Sequence, residues 1–512
     1  MARSWDEPFT LYGLLAESVD VADDHRSVTF TIHPDARFSD GSPVTPDDVI
    51  FSMQILRDEG RPNFDAYYRR IETAEATGAR SVTFTFHGRE RELPLLLGLM
   101  PVHSRADWQG REFGETTLRP PVASGPYRIE SVAVGDRITL RKRADYWGRD
   151  LPINRGIHNF DAVTYLYFKD ENALWEAFRA GLVDLRPETD PVRWLDGYGF
   201  PAMTDGKIVK GELRHGRATG MEGLVFNTRN PLFADRRVRK ALQHAFDFEW
   251  VNATLNQGAY ERIQTYYGNS RLGASGPATG IERALLTPFV DDLPAGAMEG
   301  DFALPVSKGD GHNRENLLKA MRLLRAAGWR VDRGALRNAE GEQFAFEILL
   351  QGAAKDEKIA ATFARALKRL GIAASLRTVE GTQYQTRLDA YDFDMILRRW
   401  WLSLSPGGEQ EFYFGSEGVT KQGTRNYMGA QNPAIDAMIV ALQSAEDEET
   451  HVAAVRALDR VLTAERYVIP LWYESVERIA WWKPLGKPDR TPLYGYRPEV
   501  WWYDAARKAG SD

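Results

Sequence analysis

The stretch TGMEGLVFNTRNPLFADRRVRKALQHAFDFEWVNATL, residues 219–255, decides how this chain folds. Its apolar run at 223–227 is typical of a buried strand, and residues 227–231 supply turn-forming side chains. Asp235 can cap a following helix, because its carboxylate can accept hydrogen bonds from free N–H groups of the first turn. The stretch therefore predicts a strand, a turn and a helix in that order.

The helix predicted after Asp235 buries one face. Val238, Leu242 and Ala245 recur at i, i+4 and i+7, which is the spacing of an amphipathic helix. The same pattern predicts that the basic side chains of this helix face solvent, namely Arg236, Arg239 and Lys240. A strand that leads into such a helix is an element of an α/β fold.

The length and composition indicate a soluble globular protein of several lobes. The chain has 512 residues, more than one hydrophobic core usually supports, so we expect two or three lobes. Hydrophobic residues make up 43% and charged residues 27%. The net charge of −7, with acids and bases interspersed, argues against a nucleic-acid surface. Cysteine is absent, which excludes disulfides, thiolate metal sites and a cysteine nucleophile.

Targeting and membrane signals are missing from the sequence. Residues 1–5 have neither an apolar segment nor a small-residue cleavage site. The longest apolar run, at 93–102, contains two prolines and falls short of the roughly 18 residues needed to span a bilayer.

In the remaining chain, the part before Asp161 shows mainly the patterns of strands, and the part after it shows alternating helices and strands. Residues 28–32 and 81–86 alternate as half-buried strands, and Thr45 begins a capped helix. Short antiparallel strands are predicted within 124–147, and from Asp161 the pattern favours α/β. The later helices are predicted at 172–180, 317–327, 357–370, 434–442 and 450–462, and the later strands at 162–168, 372–379 and 468–473.

Catalytic and metal-binding motifs are almost absent from the sequence. The nine histidines stand singly, without an i, i+4 pair. A match to the dinucleotide-binding glycine pattern at 197–202 contains Pro201 and follows no clear strand. Acid pairs such as Asp392 and Asp394 are consistent with solvated turns. In an aromatic-rich chain they also leave open a carbohydrate-active enzyme that uses paired carboxylates.

The segment YDFDMILRRWWLSLSPGGEQEFYF, residues 391–414, carries the strongest signal for binding. Residues 395–397 are predicted to form a buried strand, and Arg398, Arg399, Trp400 and Trp401 follow at its carboxyl end, where ligands bind in open α/β sheets. Aromatic faces and guanidinium groups suit a peptide or another extended polar ligand. The alternative is two surface arginines beside two core tryptophans.

Two stretches resemble a known protein family. They are LAESVDVADDHRSVTFTIHPDARFSDGSPVTPDDVIFSM at 15–53 and the pattern F-N-T-x-x-P-x-x-x-D-x-R-V-R-x-A-L at 226–242. Both are similar to the family-5 extracellular solute-binding proteins of bacterial ABC importers, which include oligopeptide, dipeptide, nickel and microcin C uptake proteins. Gly408-Glu409-Gln410 and the ending PLYGYRPEVWWYD at 492–504 resemble most the microcin C (Yej-type) branch.

The resemblance implies an α/β, periplasmic binding protein-like fold (class II, cluster C type). Such a fold has two main α/β lobes, joined by a hinge around the ligand, and a smaller third lobe. We expect the small lobe at 4–150, the first main lobe at 151–262 and 475–512, and the second main lobe at 263–474.

The implied function is capture of a peptide or peptide-like solute, which includes N-blocked, murein-derived and microcin-like ligands, and its delivery to an inner-membrane ABC permease. The resemblance implies a periplasmic location, a monomer, no chemistry, no cofactor, no metal and no nucleic-acid partner. The lack of histidine between His312 and His451 argues against nickel as the ligand.

The resemblance also extends the set of candidate ligand contacts. Trp400 falls where the oligopeptide branch keeps a ligand-contacting tryptophan, and Tyr473 lies on the family's late strand. Ser403 stands where oligopeptide binders place an aspartate for the peptide's α-amino group, and Glu409 or Glu411 could supply that carboxylate instead. The predicted ligand-binding residues are Asn227, Arg398, Arg399, Trp400, Trp401, Ser403, Asn426, Tyr427 and Tyr473.

The sequence departs from the family at its beginning. The family's signal peptide and the following segment with a D-S-L-N-P-like motif are not found here, and that segment supplies the first strand of the first main lobe. We therefore expect this lobe to be incomplete, so that the strand beginning at Gly223 has an unpaired edge.

Overall fold

The structure, a computed structural model, describes residues 1–60, 62–115 and 117–506. It divides the chain into two units. Unit 1 comprises Met1–Thr189, Asp196–His215 and Val476–Asp512, and unit 2 comprises Asp190–Leu195 and Gly216–Ser475. Residues 216–262 thus belong to the same unit as 263–475, whereas the three-lobe division stays a prediction. Residues 507–512 of the predicted first main lobe lie outside the described residues.

The helices alternate with strands along most of the chain. They are α1 (Pro46–Glu59), α2 (Pro62–Tyr68), α3 (Leu93–Gly98), α4 (Arg105–Trp108), α5 (Glu171–Arg179), α6 (Pro201–Thr204), α7 (Arg236–Ala245), α8 (Phe248–Asn256), α9 (Gly280–Leu286), α10 (Arg314–Ala326), α11 (Ala354–Lys368), α12 (Gly381–Asp389), α13 (Glu409–Phe414), α14 (Pro433–Ser444) and α15 (Glu448–Glu465).

The strands are short and form several small sheets. They are β1 (Ala2–Arg3), β2 (Leu11–Tyr12), β3 (Ala16–Val21), β4 (Ser27–Ile32), β5 (Ile71–Ala76), β6 (Ser81–Phe86), β7 (Tyr127–Ala133), β8 (Arg137–Lys142), β9 (Ala162–Leu166), β10 (Leu185–Pro187), β11 (Ile208–Arg214), β12 (Met221–Phe226), β13 (Glu261–Arg262), β14 (Arg330–Asp332), β15 (Ala335–Arg337), β16 (Ala345–Leu350), β17 (Ala373–Thr378), β18 (Met395–Trp400), β19 (Val468–Pro470), β20 (Trp472–Tyr473), β21 (Val476–Trp482), β22 (Leu485–Gly486) and β23 (Trp502–Tyr503).

Unit 1 begins with the antiparallel sheet β3-β4-β6-β5. Alternate residues of β4 and β6 are buried, as their sequence pattern predicts, and α1 packs into the same core through Val49, Met53 and Leu56. The predicted cap of α1 is confirmed, because the Thr45 hydroxyl accepts a hydrogen bond from the Asp48 N–H at 3.3 Å. The Asp48 carboxylate in turn accepts one from the Thr45 N–H at 2.9 Å, which completes a capping box.

The second sheet of unit 1, β7-β8-β9, corrects one prediction. Strand β9 was expected to open an α/β region at Asp161, but it pairs antiparallel with β8, with Leu140 opposite Val163. The sequence pattern of β9 indicates which of its residues are exposed, but it does not indicate the strand with which β9 pairs. That strand is β8, which precedes β9, and not a strand after the following helix.

The third sheet of unit 1 has strand order β10-β21-β11, so its central strand comes from the end of the chain. The pairing of β11 with β21 runs from Ile208 opposite Trp482 to Arg214 opposite Val476. Trp481 packs edge-on against Trp501 in the small core behind this sheet, with ring centroids 5.2 Å apart. The predicted return of the chain near residue 475 coincides with the start of β21.

The central sheet of unit 2 has the order β17-β16-β18-β12-β19. Strands β16, β17 and β18 are mutually parallel, and β12 runs antiparallel to both of its neighbours. The predicted unpaired edge of this strand is therefore wrong, since β18 and β19 pair with it on both sides. Strand β19 lies within the strand predicted at 468–473 and forms one edge of this sheet.

Residue 223 must be a glycine for this pairing. A Cβ atom on Gly223 would lie 2.1 Å from the carbonyl oxygen of Ile469, closer than any real contact. The three residues that follow, Leu224, Val225 and Phe226, are fully buried, which confirms the predicted buried strand. One hydrophobic core of unit 2 combines residues of this sheet with residues of α7, α10 and α11.

Helix α7 follows β12 as predicted, with one exception on its polar face. The Asp235 carboxylate accepts a hydrogen bond from the Arg237 N–H at 2.8 Å, which confirms the predicted cap. Arg239, expected to face solvent, is instead buried. Its guanidinium donates to the carbonyl oxygens of Phe233 and Ala234, both at 2.8 Å, and to Glu465 at 2.9 Å. An arginine has five N–H donors, so Arg239 can bind several acceptors at once. The sequence does not show that these acceptors lie close together.

Helix α15 holds the loop that leads into α9, through contacts with residues 266–282. Asp459 is fully buried and accepts hydrogen bonds from the backbone N–H groups of Tyr266 at 2.7 Å and Ala274 at 2.8 Å. The adjacent Arg460 is also fully buried and donates to Glu282 at 2.6 Å and to the carbonyl oxygen of Gly276 at 2.8 Å. Two neighbouring charges of one helix thus hold the loop.

We expect Asp459 to make unit 2 more stable as the pH falls from about 7 to about 4. Burial raises the pKa of the Asp459 carboxyl to about 6, above its ordinary value of 3.8. The folded state therefore binds a proton that the unfolded state releases, and this contribution is lost as pH rises through 6. The free energy of unfolding of the native protein, minus that of Asp459→Asn, should grow by about 2 kcal/mol over this range.

Urea unfolding at a series of pH values measures this difference. Because asparagine keeps one oxygen acceptor and does not titrate, it serves as the matched reference. A difference that stays constant or shrinks on acidification would contradict the assignment.

Candidate functional site

The parallel strands of unit 2 end at one edge of the central sheet. Strands β16, β17 and β18 run in the same direction, so the residues that follow Leu350, Thr378 and Trp400 share this edge. We call it the carboxyl edge. In open α/β sheets ligands bind outside this edge, which makes it the candidate site.

Two adjacent tryptophans at the end of β18 have opposite environments. Trp400 is 2% exposed and Trp401 is 74% exposed. The Trp400 ring packs against Tyr427 and Phe414, with centroids 5.8 and 6.2 Å away, and its Nε1–H donates to the carbonyl oxygen of Arg425 at 3.2 Å. Trp400 is therefore packed as a core residue, whereas Trp401 presents a bare aromatic face at the carboxyl edge.

Arg399 joins the exposed Trp401 to a buried carboxylate. Its guanidinium carbon lies 3.7 Å from the centroid of the Trp401 ring, and its Nη1 donates to Glu222 at 2.8 Å. Burial raises the pKa of Glu222, and the charges of Arg399 and Lys355 oppose that rise. The stacked guanidinium and indole form a flat platform whose position is set by Glu222.

Lys355, in the first turn of α11, adds a second cation beside Glu222. Its Nζ lies 4.7 Å from the ring centroid of Trp472 and 4.9 Å from that of Tyr260, and these two rings stack 5.4 Å apart. Burial lowers the pKa of Lys355, and the charge of Glu222 opposes this. The sequence patterns did not predict Glu222, Lys355 and Tyr260, which come from β12, from α11 and from the loop before β13.

Arg398 lies on the other face of β18 from Arg399, as alternate residues of a strand must. Its guanidinium carbon is 5.3 Å from the centroid of the buried Tyr427 ring, on the side of the sheet where Trp400 packs. The two consecutive arginines therefore contact different groups, and only Arg399 stacks on Trp401.

Two predicted asparagines use their side chains within the fold. The Asn227 Nδ2 donates to the carbonyl oxygens of Tyr391 at 3.1 Å and Phe393 at 2.8 Å. The Asn426 Nδ2 donates to those of Gly415 and Ala430, both at 2.9 Å. Both side chains are buried and tie chain segments together.

The remaining predicted residues lie in loops and on a short strand. The Ser403 hydroxyl accepts a hydrogen bond from the Ser405 N–H at 3.1 Å, and Glu409 accepts one from the Gly407 N–H at 3.0 Å. The Tyr473 hydroxyl donates to Glu261 at 3.0 Å, and burial raises the pKa of Tyr473 to about 12.

The structure brings some of the nine predicted residues together and separates others. Arg399 and Trp401 share the platform. Arg398, Trp400 and Tyr427 share one aromatic cluster. The side chains of Asn227 and Asn426 donate hydrogen bonds to backbone carbonyl groups. A ligand contact stays a prediction for each of them.

The acids that suggested a carbohydrate-active enzyme are engaged within the fold. Asp394 accepts hydrogen bonds from Asn230 at 2.7 Å and from the Glu347 N–H at 2.8 Å. Asp392 pairs with Arg387 at 3.0 Å. Within the described ranges, no group of three or more histidines, aspartates or glutamates could hold a metal ion. In the same part of the chain, every helix is too short or too polar to cross a bilayer.

Comparison with known families gives one match over most of the chain. The family described as "Bacterial extracellular solute-binding proteins, family 5 Middle" matches residues 10–420. The match includes the strand β12, helix α7 and all of β16, β17 and β18.

Two relatives from Agrobacterium fabrum cover the chain almost completely. One is named "Peptidoglycan-binding protein YepA"; it is 42% identical over 515 residues, which span 98% of this chain and 83% of that protein. The other is named "Probable peptide-binding protein YejA"; it is 38% identical over 523 residues, which span 100% of this chain and 84% of that protein.

A solved structure supports the fold. The oligopeptide-binding protein AppA from Bacillus subtilis, determined in complex with a nonapeptide, superposes with a TM-score of 0.64. The two are 22% identical, and the match covers 96% of this chain and 90% of AppA. The predicted periplasmic binding protein-like α/β fold is thereby confirmed.

The variants Trp400→Ala and Trp401→Ala should show which tryptophan stabilises the fold and which contacts the ligand. Removal of the buried Trp400 ring should lower the free energy of unfolding by about 3–5 kcal/mol, because it leaves a cavity among aromatic rings. Removal of the exposed Trp401 ring should change it by less than about 0.5 kcal/mol.

Chemical denaturation measures both changes, and a ligand titration tests the contacts. If Trp401 is a ligand platform, its loss should weaken binding by about 2 kcal/mol or more. A large loss of stability without any loss of affinity would remove Trp400 from the predicted contacts. An unchanged affinity in Trp401→Ala would remove Trp401.

Proposed function

Because this chain belongs to family 5 of the bacterial extracellular solute-binding proteins, we propose that it captures a peptide or peptide-like solute for an ABC importer. It acts in the periplasm as a monomer and delivers the solute to an inner-membrane permease without changing it chemically. The two main lobes and the smaller third lobe predicted from the sequence are part of this proposal.

The observation that carries the proposal is the platform of Arg399 on the exposed Trp401. A flat, bare indole with a stacked guanidinium suits peptide groups, which offer both π-faces and carbonyl oxygens. Beside it, the Trp472 and Tyr260 rings stack under Lys355. The names of the two Agrobacterium relatives support peptides and peptidoglycan fragments as ligand classes.

An N-blocked ligand is favoured by the residue at position 403 and by the engagement of Glu222 and Glu409 within the fold. A buried ammonium group needs a carboxylate partner, yet position 403 offers only a hydroxyl. Glu222 is already paired with Arg399 at 2.8 Å, and Glu409 accepts hydrogen bonds from Gly407 and Gln410. We therefore propose that the solute does not require a free α-amino group, as in formylated, acylated or murein-derived peptides.

A thermal-shift screen tests the ligand class. A ligand at about 100 times its Kd stabilises the folded protein by roughly 2.7 kcal/mol, so peptides or muropeptides should raise the melting temperature. Mass spectrometry of the recovered ligand should show it unchanged. Stabilisation by glycans alone, or formation of a product, would contradict the proposal.

Calorimetry with one peptide in free, formylated and acetylated forms tests the N-terminal preference. We expect the capped forms to bind at least as tightly as the free amine. A tenfold or greater loss of affinity on capping, about 1.4 kcal/mol, would mean that a charged anchor exists and that the preference is wrong.

A further inference from the structure

Helix α8 and strand β13 bring two opposite charges into one buried region of unit 2. Asp247 caps α8 by accepting a hydrogen bond from the Trp250 N–H at 3.1 Å, and Arg262 is the last residue of β13. The Arg262 guanidinium carbon lies 5.0 Å from the ring centroid of Phe248, the residue that follows Asp247. Asp247 is 7% exposed and Arg262 is 9% exposed. Both charges are therefore withdrawn from bulk water.

One short segment of the chain contacts both charges. The Arg262 Nη1 donates to the carbonyl oxygen of Pro305 at 2.6 Å, and the Ser307 hydroxyl donates to the Asp247 Oδ1. The Ser307 N–H donates to Glu249, in the first turn of α8, at 3.0 Å. Two residues of extended chain span at most about 7 Å, so the Arg262 and Asp247 side chains end close together.

The two charges do not pair directly, because their charged atoms are more than 4.0 Å apart. The Arg262 Nη2 and the Asp247 Oδ2 are both buried, and neither has a hydrogen-bond partner among the residues that the structure describes. Burial lowers the pKa of Arg262 to about 10, and the charges of Glu249 and Asp247 oppose this shift. The two side chains therefore act on each other over a distance longer than a hydrogen bond.

The chemistry of these two atoms determines which ligand can join them. A buried polar group without a hydrogen bond is costly, and buried polar groups in proteins nearly always have a partner. Asp247 would repel an anion, and Arg262 would repel a cation. A neutral molecule that both accepts and donates hydrogen bonds suits both atoms, and water is the smallest such molecule.

We propose that one ordered water molecule links Arg262 to Asp247, accepting a hydrogen bond from Nη2 and donating one to Oδ2. This water completes a hydrogen-bonded cluster that holds segment 305–307 against α8. The buried water site does not depend on the solute that the protein captures, so it stands or falls separately from the proposed function.

A high-resolution crystal structure of the full chain tests the site. We expect one compact peak of electron density at hydrogen-bond distance, about 2.7–3.2 Å, from both the Arg262 Nη2 and the Asp247 Oδ2. A direct contact between the two side chains at this distance would overturn the proposal, and so would two separate side chains without a peak between them. A peak with the anomalous signal of an ion would overturn the choice of water.

Structures of variants in the same crystal form identify the partners of the water. Arg262→Met removes the donor, so we expect the peak to be lost. Ser307→Ala is the matched control, because it changes the same segment but leaves both linked atoms in place, and its peak should remain. A peak that stays unchanged in Arg262→Met would contradict the assignment. If Arg262→Met does not fold, Asp247→Ser gives the same test, because serine can still cap α8 but lacks the second oxygen.

Discussion

The close approach of β19 to β12 at Gly223 is the constraint on which unit 2 depends. Any side chain at this position would collide with the Ile469 carbonyl oxygen, and β12 could then pair on one side only. With glycine there, β12 lies inside the sheet, and the ends of β18 and β19 come to lie on either side of Glu222. The buried carboxylate can then position Arg399, and Arg399 supports the face of Trp401. The platform at the carboxyl edge therefore depends on the absence of a side chain at residue 223.

The sequence predicted what depends on neighbours in the chain. The strand β12, the cap at Asp235 and the apolar face of α7 need only short-range patterns, and the structure confirms all three. Arg239 could not be predicted in this way, because its partner Glu465 lies 226 residues away. The same holds for both neighbours of β12, whose pairing only the folded sheet reveals.

The candidate site was predicted in part for a similar reason. The pattern of residues 398–401 pointed to the end of β18, but it could not tell which tryptophan is buried. Strand alternation leaves two consecutive rings on opposite faces, and the choice depends on Tyr427 and Phe414, which close over Trp400. Lys355 offered one cue, since a cation in the first turn of a helix opposes the helix dipole. Such a placement is accepted where aromatic rings and a carboxylate compensate for it.

The position of β21 has a consequence for how the polypeptide acquires its fold during synthesis. Strands β10 and β11 emerge early but lie on either side of a strand that is translated only after all of unit 2, as the pairing of Ile208 with Trp482 shows. Until then both strands carry unsatisfied backbone groups, which are prone to pair with other chains. Because contacts between distant residues form slowly, we expect the β10-β21-β11 sheet to be among the last parts of unit 1 to form.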